Sequence, residues 1–382
     1  MTQPKLRFAQ FDGDWEIKEF DKITERVSKA SVKSDLPRIE YEDVISGSGV
    51  LNKDVYQKNN VKKGTQFEAG DILFGKLRPY LQNWLFPSFQ GVAVGDWWVL
   101  RPKGVQGCYL YYLIQGDAFQ TVANLSAGSK MPRSDWKIVS KTKFYTPPTE
   151  QEQTTIGNFF RQIDELITLR QRELEHTKEL KKGLLQKMFP KNGETVPQIR
   201  FPQFTDAWER CRLGEVVEIK MGQSPSSKNY TNNPNDYILV QGNADIKNGW
   251  VSPRVWTTEI TKLANKNSLI LSVRAPVGDV AKTNYDVVLG RGVASLNGNE
   301  FIYQTLIKLK IDGYWERLSS GSTFESINSN DLKDAEIFLP TKQEQTTIGN
   351  FFRQIDELIT LRQRELEHTR QLKRALLQQM FV

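Results

Sequence analysis

Apolar residues recur at helical spacing through a long segment near the middle of the chain. They form a stripe of Ile156, Phe160, Ile163, Ile167, Leu174, Leu184 and Met188. This recurrence predicts an amphipathic helix. Thr149 and Glu152 have the spacing of a capping box at its start, and Pro190 follows its end. Roughly 40 residues at about 1.5 Å each would form a rod about 60 Å long.

This helical segment occurs twice. Pro148 to Phe189 returns as Pro340 to Phe381, with six mismatches in 42 positions. A weaker repeat opens each half, where Leu6-Arg7-Phe8 with Trp15 returns as Ile199-Arg200-Phe201 with Trp208. Such self-similarity indicates a tandem of two halves. The predicted organisation is a globular domain at 1–147, a helix at 148–190, a linker at 191–197, a second globular domain at 198–339 and a second helix at 340–382.

Each predicted helix needs a surface that covers its apolar stripe. The other copy supplies one, so we expect an antiparallel, coiled-coil-like pair. The residues predicted to pack in this pair are Ile163, Ile167, Leu174, Ile355, Ile359 and Leu366. Polar positions such as Arg161 and Arg170 also return unchanged, as Arg353 and Arg362. Either the duplication is recent, or both helices present one surface to two copies of the same partner, and the divergence of the globular domains favours the second explanation.

The globular domains show short apolar runs between clusters of Gly, Asn, Ser and Pro. Asp71 to Phe74, Trp97 to Leu100 and Ser268 to Val273 are examples, and they predict strands. The predicted fold is therefore α/β (α+β), with two similar globular domains that contain twisted sheets and are separated by the helix pair in a pseudo-two-fold arrangement. We assign the aromatic residues Trp84, Trp97, Trp98, Trp250 and Trp256 to the cores rather than to stacking surfaces.

Basic and hydroxyl side chains lie in or beside the predicted loops. A single one is more often an ordinary solvated residue, but together, with amides such as Gln241 and Asn243, they suit DNA. Arginine and glutamine can contact base edges through two hydrogen bonds, while lysine and serine hold phosphates. The candidate DNA-binding residues are Lys76, Arg78, Lys130, Arg133, Gln223, Ser224, Lys228, Arg274, Arg291 and Ser322.

Composition narrows the chemistry that the chain can perform. The net charge of +7 fits a polyanionic partner. Cys108 and Cys211 are too far apart in sequence for a thiolate metal motif, and His176 and His368 occupy one repeated helical position. Neither a phosphate-binding glycine loop nor a long apolar run is present. We therefore predict no catalytic residues, no metal, no cofactor and no membrane association, and we expect a cytoplasmic protein.

Three stretches together resemble the specificity subunit of type I restriction-modification enzymes. They are the paired opening motif ending at Trp15 and Trp208, Gly70 to Tyr80 in the first domain, and Leu269 to Val280 in the second. The helix entry from Pro340 to Gln345 is also similar, and the resemblance covers essentially the whole chain. It implies that each domain is a target recognition domain for half of a bipartite, asymmetric site in double-stranded DNA, and that the helices set the gap.

The resemblance also implies a set of partners. Two methyltransferase subunits would carry S-adenosylmethionine and modify adenine, and two restriction subunits would use ATP and Mg²⁺. No Asn/Asp-Pro-Pro-Tyr/Phe motif of an adenine methyltransferase occurs in this sequence. Two other hypotheses are a coiled-coil adaptor that displays two ligand-binding domains without binding DNA, and a stand-alone nuclease or methyltransferase. Salt-sensitive duplex binding separates the adaptor from a DNA reader.

Overall fold

The computed structural model describes residues 3–57, 62–126, 130–191, 193–319 and 326–381. The chain forms two compact units. The first comprises Met1–Gln171 and Glu365–Val382, and the second comprises Arg172–Arg364. The boundary crosses both long helices, so each helix contributes a segment to each unit. In the described part of the chain, no helix is long and apolar enough to cross a membrane.

The first unit is built on two four-stranded sheets. Its strands are β1 (Glu16–Glu19), β2 (Thr24–Val27), β3 (Ala30–Ser31), β4 (Arg38–Ile39), β5 (Val44–Ile45), β6 (Val50–Leu51), β7 (Gly64–Phe67), β8 (Ile72–Gly75), β9 (Trp84–Leu85), β10 (Gly91–Ala93), β11 (Trp97–Pro102) and β12 (Lys143–Thr146). Its helices are α1 (Phe20–Ile23), α2 (Gly107–Leu113), α3 (Asp117–Ala123), α4 (Trp136–Lys141) and the start of α5 (Glu150–Met188). The sheet orders are β3-β7-β10-β4 and β2-β11-β8-β9, and β1 pairs with β12 and β5 with β6.

The second unit has the larger sheets, of five and six strands. Its strands are β13 (Glu209–Arg212), β14 (Ile219–Met221), β15 (Tyr230–Thr231), β16 (Tyr237–Val240), β17 (Ile246–Lys247), β18 (Trp250–Val251), β19 (Val255–Thr257), β20 (Leu263–Ala264), β21 (Leu269–Ser272), β22 (Val280–Lys282), β23 (Val287–Leu289), β24 (Val293–Leu296) and β25 (Glu336–Leu339). Its helices are α6 (Leu213–Val216), α7 (Glu300–Ile311), α8 (Tyr314–Ser319), α9 (Ser329–Lys333) and the start of α10 (Lys342–Met380). The orders are β15-β19-β16-β23-β20 and β14-β24-β21-β22-β18-β17, and β13 pairs with β25.

The predicted strands are confirmed where apolar runs are buried on both faces. All four residues of β8 and all four of β21 are buried, so these strands lie in the interior of their sheets. Trp84, Trp97 and Trp98 belong to the core as expected, and Trp256 is partly buried. The core assignment of Trp250 was wrong, because its side chain is 40% exposed. Alternation along β18 turns Val251 inward and Trp250 outward.

The weaker repeat at the start of each half is explained by a buried ion pair. Arg7 Nε donates to Glu152 Oε1 at 2.7 Å, and Arg200 Nε donates to Glu344 Oε1 at the same distance. Both carboxylates are buried in the first turn of α5 or α10. The N-cap half of each predicted capping box is confirmed, since the hydroxyls of Thr149 and Thr341 accept from the amides of Glu152 and Glu344 at 3.2 and 3.4 Å. The glutamate side chains bind the arginines instead of the threonine amides. Each half therefore ties its opening segment to its own helix start.

The two long helices run antiparallel where they meet within each unit. In the first unit, Arg170 Nη1 donates to the Glu365 carbonyl at 2.8 Å, while Asp164, nearer the start of α5, pairs with Lys373, nearer the end of α10. In the second unit, Arg362 Nη1 donates to the Glu173 carbonyl at 2.7 Å. The contacts of one unit thus return in the other with the two copies exchanged. Arg170 and Arg362 serve the helix pair, so the repetition of these two arginines does not require an external partner.

The apolar stripe serves both the helix pair and the domain cores. Leu174 and Leu366 are buried, whereas Ile167 and Ile359 are partly buried. The remaining predicted packing residues, Ile163 and Ile355, lie against the core of the first and second unit, respectively. His176 and His368 are exposed on the helix surface.

A buried lysine crosses between the helix segments in each unit. Lys373 Nζ lies 2.7 Å from Asp164 Oδ1 and donates to Gln115 Oε1 at 2.9 Å. In the other unit, Lys181 Nζ lies 2.6 Å from Asp356 Oδ1. Burial lowers the pKa of both ammonium groups, and the facing carboxylates oppose that shift. A register that moved these pairs apart would leave a buried charge without its counter-ion.

We predict that Lys373→Met lowers the free energy of unfolding by about 2–3 kcal/mol, because it leaves the partly buried Asp164 carboxylate without its counter-ion. The double variant Lys373→Met/Asp164→Leu should recover part of that loss. Urea unfolding followed by circular dichroism measures both. Lys178→Met, which removes an exposed lysine paired with Glu175 on the same helix, is the control and should cost less than about 0.5 kcal/mol. Equal stability of the Lys373 and Lys178 variants would contradict the role of the buried pair.

Candidate nucleic-acid interface

A cleft of about 420 Å³ opens on the second unit. It brings together three predicted residues, Ser224, Arg274 and Arg291, which come from separate loops. Their neighbours in the lining include Gln241, Asn243 and Arg254. Because three arginines and two amides converge there, the cleft offers hydrogen-bond donors to the acceptor atoms of DNA bases and phosphates.

Arg274 is positioned by the buried strand β21. Just beyond the end of β21, residue 274 forms an isolated antiparallel bridge with Ser326. The hydroxyl of Ser272 donates to the Arg274 carbonyl at 3.0 Å, which fixes the turn. The Arg274 side chain is exposed at the cleft. A rigid strand therefore delivers an arginine to a solvent-facing edge.

Arg291 lies in the tight connection between β23 and β24. A Cβ atom at Gly292 would lie 2.1 Å from the Gln241 carbonyl oxygen, so only glycine permits the close approach of these two segments. The Arg291 amide donates to the Ser224 hydroxyl at 3.0 Å. Ser224, predicted to bind DNA, thus supports the backbone of the arginine loop.

The remaining predicted residues of this unit lie outside the cleft lining. Gln223 is exposed, and its backbone amide donates to the Leu289 carbonyl at 2.9 Å. Lys228 is exposed on a single 3₁₀ turn. Glu259 holds this turn by accepting from Asn229 Nδ2 at 2.7 Å, a hydrogen bond that lowers the pKa of the Glu259 carboxyl. Ser322 lies outside the described residues.

The first unit gathers its predicted residues around Asp96. Arg133 Nη2 lies 3.0 Å from Asp96 Oδ2, and Lys76 Nζ lies 3.6 Å from Asp96 Oδ1. Arg78 is exposed, and its amide donates to the Pro132 carbonyl at 2.7 Å. Lys76, Arg78 and Arg133 therefore occupy neighbouring loops, whereas Lys130 is exposed without a defined contact among the described residues.

A partly buried tyrosine organises this cluster. Tyr41 Oη donates to the Asp96 carbonyl at 2.6 Å and accepts from the Leu77 amide at 3.2 Å. Burial raises the pKa of Tyr41, so the phenol keeps its proton. Leu77 forms an isolated bridge with Arg133, the counterpart of the Arg274 bridge in the second unit. Both units therefore place an arginine at or beside the position that follows their buried strand.

The charge balance differs among the candidate side chains. Within the described ranges, no carboxylate lies at ion-pair distance from Arg78, Arg274 or Arg291, whereas Lys76 and Arg133 share Asp96. The three arginines are therefore available for a polyanion. Among all the residues that the structure describes, no group of three or more His, Cys, Asp or Glu side chains could hold a metal ion.

Sequence reasoning missed Arg254, which lines the cleft but follows Pro253 in a connection without a recognisable motif. It also missed Tyr230, whose hydroxyl accepts from Gln241 Nε2 at 2.8 Å. Both positions depend on strand pairing in the β15-β19-β16 part of the sheet, which spacing alone does not reveal.

Comparison with known proteins identifies the two halves as related domains. The family model described as the type I restriction modification DNA specificity domain matches residues 13–179 and again 205–369. A putative type I restriction enzyme MjaX specificity subunit from Methanocaldococcus jannaschii is 27% identical over 409 aligned residues. That alignment covers 98% of this chain and 94% of the relative.

Two solved structures share the fold. One chain comes from work on complex assembly and conformational transition of the type I R-M system, with a TM-score of 0.62, 24% identity, and coverage of 95% of this chain and 96% of that one. The other is the type I restriction-modification S subunit from M. genitalium, with a TM-score of 0.62 and 14% identity. That match covers 100% of this chain and 99% of the other.

Proposed function

Because this chain belongs to the type I restriction-modification DNA specificity family, we propose that its two units read the two halves of one split DNA target. The chain is a specificity subunit that serves in DNA target recognition. One observation supports the division between units: each presents an exposed arginine at or beside the bridge after its buried strand, Arg78 in the first and Arg274 in the second. The surrounding side chains differ, so each unit would read its own sequence.

Physical considerations favour two tethered readers. One good bidentate contact contributes about 1–3 kcal/mol of discrimination, which is too little for a rare site. Linking two readers makes the second binding event intramolecular, so that their selectivities multiply. We propose that α5 and α10 fix the gap between the two half-sites, because both helices contribute segments to both units.

We propose that the chain itself performs no chemistry. The side chains gathered in the cleft are mainly arginines and amides, and arginine does not exchange protons near neutral pH. Such groups bind and orient DNA. Methyl transfer from S-adenosylmethionine, and ATP- and Mg²⁺-dependent restriction, would belong to partner subunits.

An exposed leucine stripe supports two identical partners. Leu166 and Leu169 lie on one face of the α5 segment in the first unit, and they return as Leu358 and Leu361 on the α10 segment in the second unit. Leu169 is 54% exposed and Leu361 is 53% exposed. Large apolar side chains in a row on a helix suit docking against another protein. We propose that each stripe binds one methyltransferase subunit, giving two per chain, and that two restriction subunits join the full enzyme.

We predict that Arg274→Ala/Arg291→Ala weakens duplex binding about ten-fold or more, because it removes two exposed cations from the cleft. The slope of the logarithm of the binding constant against the logarithm of the salt concentration should also become shallower by about one to two. The assay uses the chain with its methyltransferase subunits, and a duplex whose motif comes from mapping methylated adenines in cells with and without this gene. Arg212→Ala is the control, since Arg212 is exposed on β13 and paired with Asp334 at 3.3 Å. Wild-type affinity and salt dependence in the double variant would contradict the proposed interface.

We predict that Leu169→Glu removes one methyltransferase subunit per chain, and that Leu169→Glu/Leu361→Glu removes both. A buried carboxylate in an apolar interface is strongly unfavourable, so each change should abolish one docking event. Native mass spectrometry of the assembled complex gives the stoichiometry. Gln186→Glu adds the same charge at an exposed position about 100° around α5 from Leu169 and should leave two subunits bound. Full occupancy in the double variant would exclude the stripe as the docking surface.

A further inference from the structure

A buried carboxylate anchors the floor of the cleft in the second unit. Asp245, 2% exposed, ends the one-turn 3₁₀ helix Asn243–Asp245 just before the hairpin β17–β18. Its Oδ2 accepts from the amides of Gln241 at 2.8 Å and Gly242 at 3.3 Å. Its Oδ1 accepts from Arg254 Nε at 2.9 Å. Both carboxylate oxygens are therefore occupied, and the anchor is rigid.

This arrangement fixes the direction of the Arg254 guanidinium. Since Nε is bound to Asp245, the two terminal amino groups extend beyond the ion pair, and the described residues supply no partner for them. The side chain is 55% exposed and lines the cleft beside Gln241. A guanidinium held in this way loses little rotamer freedom when a ligand binds. Its two free amino groups have the spacing of the O6 and N7 acceptors of guanine.

The first unit carries the same device with a different cation. Asp43 is fully buried at the end of the 3₁₀ turn Tyr41–Asp43, just before the hairpin β5–β6. Its Oδ2 accepts from the Glu40 amide at 2.7 Å, and Lys53 Nζ lies 2.9 Å from its Oδ1. The carboxylate and its backbone contact are common to both units, but the cation is lysine in one and arginine in the other. Lysine is a point charge, whereas arginine offers a planar fork.

We infer that Arg254 is a specificity-determining residue, which reads the major-groove edge of a guanine in the half-target of the second unit. Asp245 is its positioning residue. The inference rests on the proposed function and adds a named contact to it. Both units share the buried aspartate on its 3₁₀ turn, but they carry different cations beside it. This is expected of a position at which the cation is matched to the half-site, because the aspartate holds the side chain and the cation contacts the base.

Two simpler roles for Arg254 make different predictions. The guanidinium could only neutralise Asp245, or it could only hold a phosphate. Lysine at this position keeps the positive charge for both of these roles, but it lacks the two-pronged geometry that distinguishes guanine. Arg254→Lys therefore separates base reading from the other two roles.

The experiment uses the chain assembled with its methyltransferase subunits, and duplexes in which each base pair of the mapped motif is changed in turn. For Arg254→Lys we expect discrimination at one G·C pair to fall about five-fold or more. That pair should lie in the half of the motif at which Arg274→Ala reduces discrimination. Discrimination in the other half of the motif and the thermal unfolding midpoint should stay unchanged. Arg212→Lys is the control and should leave every position unaffected. Arg254→Gln is a second variant, and it should move the preference at the same position from guanine towards adenine.

Three results would overturn the inference. An unchanged motif with both variants would mean that Arg254 only covers the Asp245 charge. Uniformly weaker binding to all duplexes would identify a phosphate contact. A lower unfolding midpoint for Arg254→Lys, with an intact motif, would mean a structural role. If the unmodified chain showed no sequence preference in the assembled complex, the proposed function itself would fail, and that result is visible before any variant is tested.

Discussion

The antiparallel pairing of two near-identical helices is the constraint on which the rest of the structure depends. Each helix carries an apolar stripe and a buried lysine that faces an aspartate of the other copy, as Lys373 faces Asp164 and Lys181 faces Asp356. Because the same residues make the contacts in both units, the helix sequence can change at few positions. This accounts for the identity of the helix positions that make these contacts, while the sheets differ in strand number.

The candidate interface follows the same logic of fixed frame and variable head group. A buried strand, the bridge that follows it and a buried aspartate on a 3₁₀ turn recur in both units. The side chains on this frame differ between the units. The cation beside the buried aspartate is Lys53 in the first unit and Arg254 in the second. The bridge residue is Leu77, followed by Arg78, in the first unit, and Arg274 in the second. A frame of this kind lets one backbone present different hydrogen-bond patterns, as expected of readers for two unlike half-sites.

Much of the architecture could be predicted from local signals. The helices follow from their period, the tandem from the repeat, and β8 and β21 from their apolar runs. The gathering of Ser224, Arg274 and Arg291 agrees with their loop positions. Interactions between residues distant in sequence could not be predicted, because they depend on strand register. The ion pair of Arg133 with Asp96, the anchoring of Arg254 and the exposure of Trp250 are of this kind.

The central claim is that the helix pair sets the distance between two different readers. Insertion of seven residues at equivalent positions in α5 and α10 keeps the stripe nearly in phase and lengthens each helix by about 10 Å. Mapping of methylated adenines in cells that carry this variant then measures the gap in the motif directly. The account predicts that both half-sequences persist, with about three more base pairs between them at about 3.4 Å each. A motif with the original gap would contradict it.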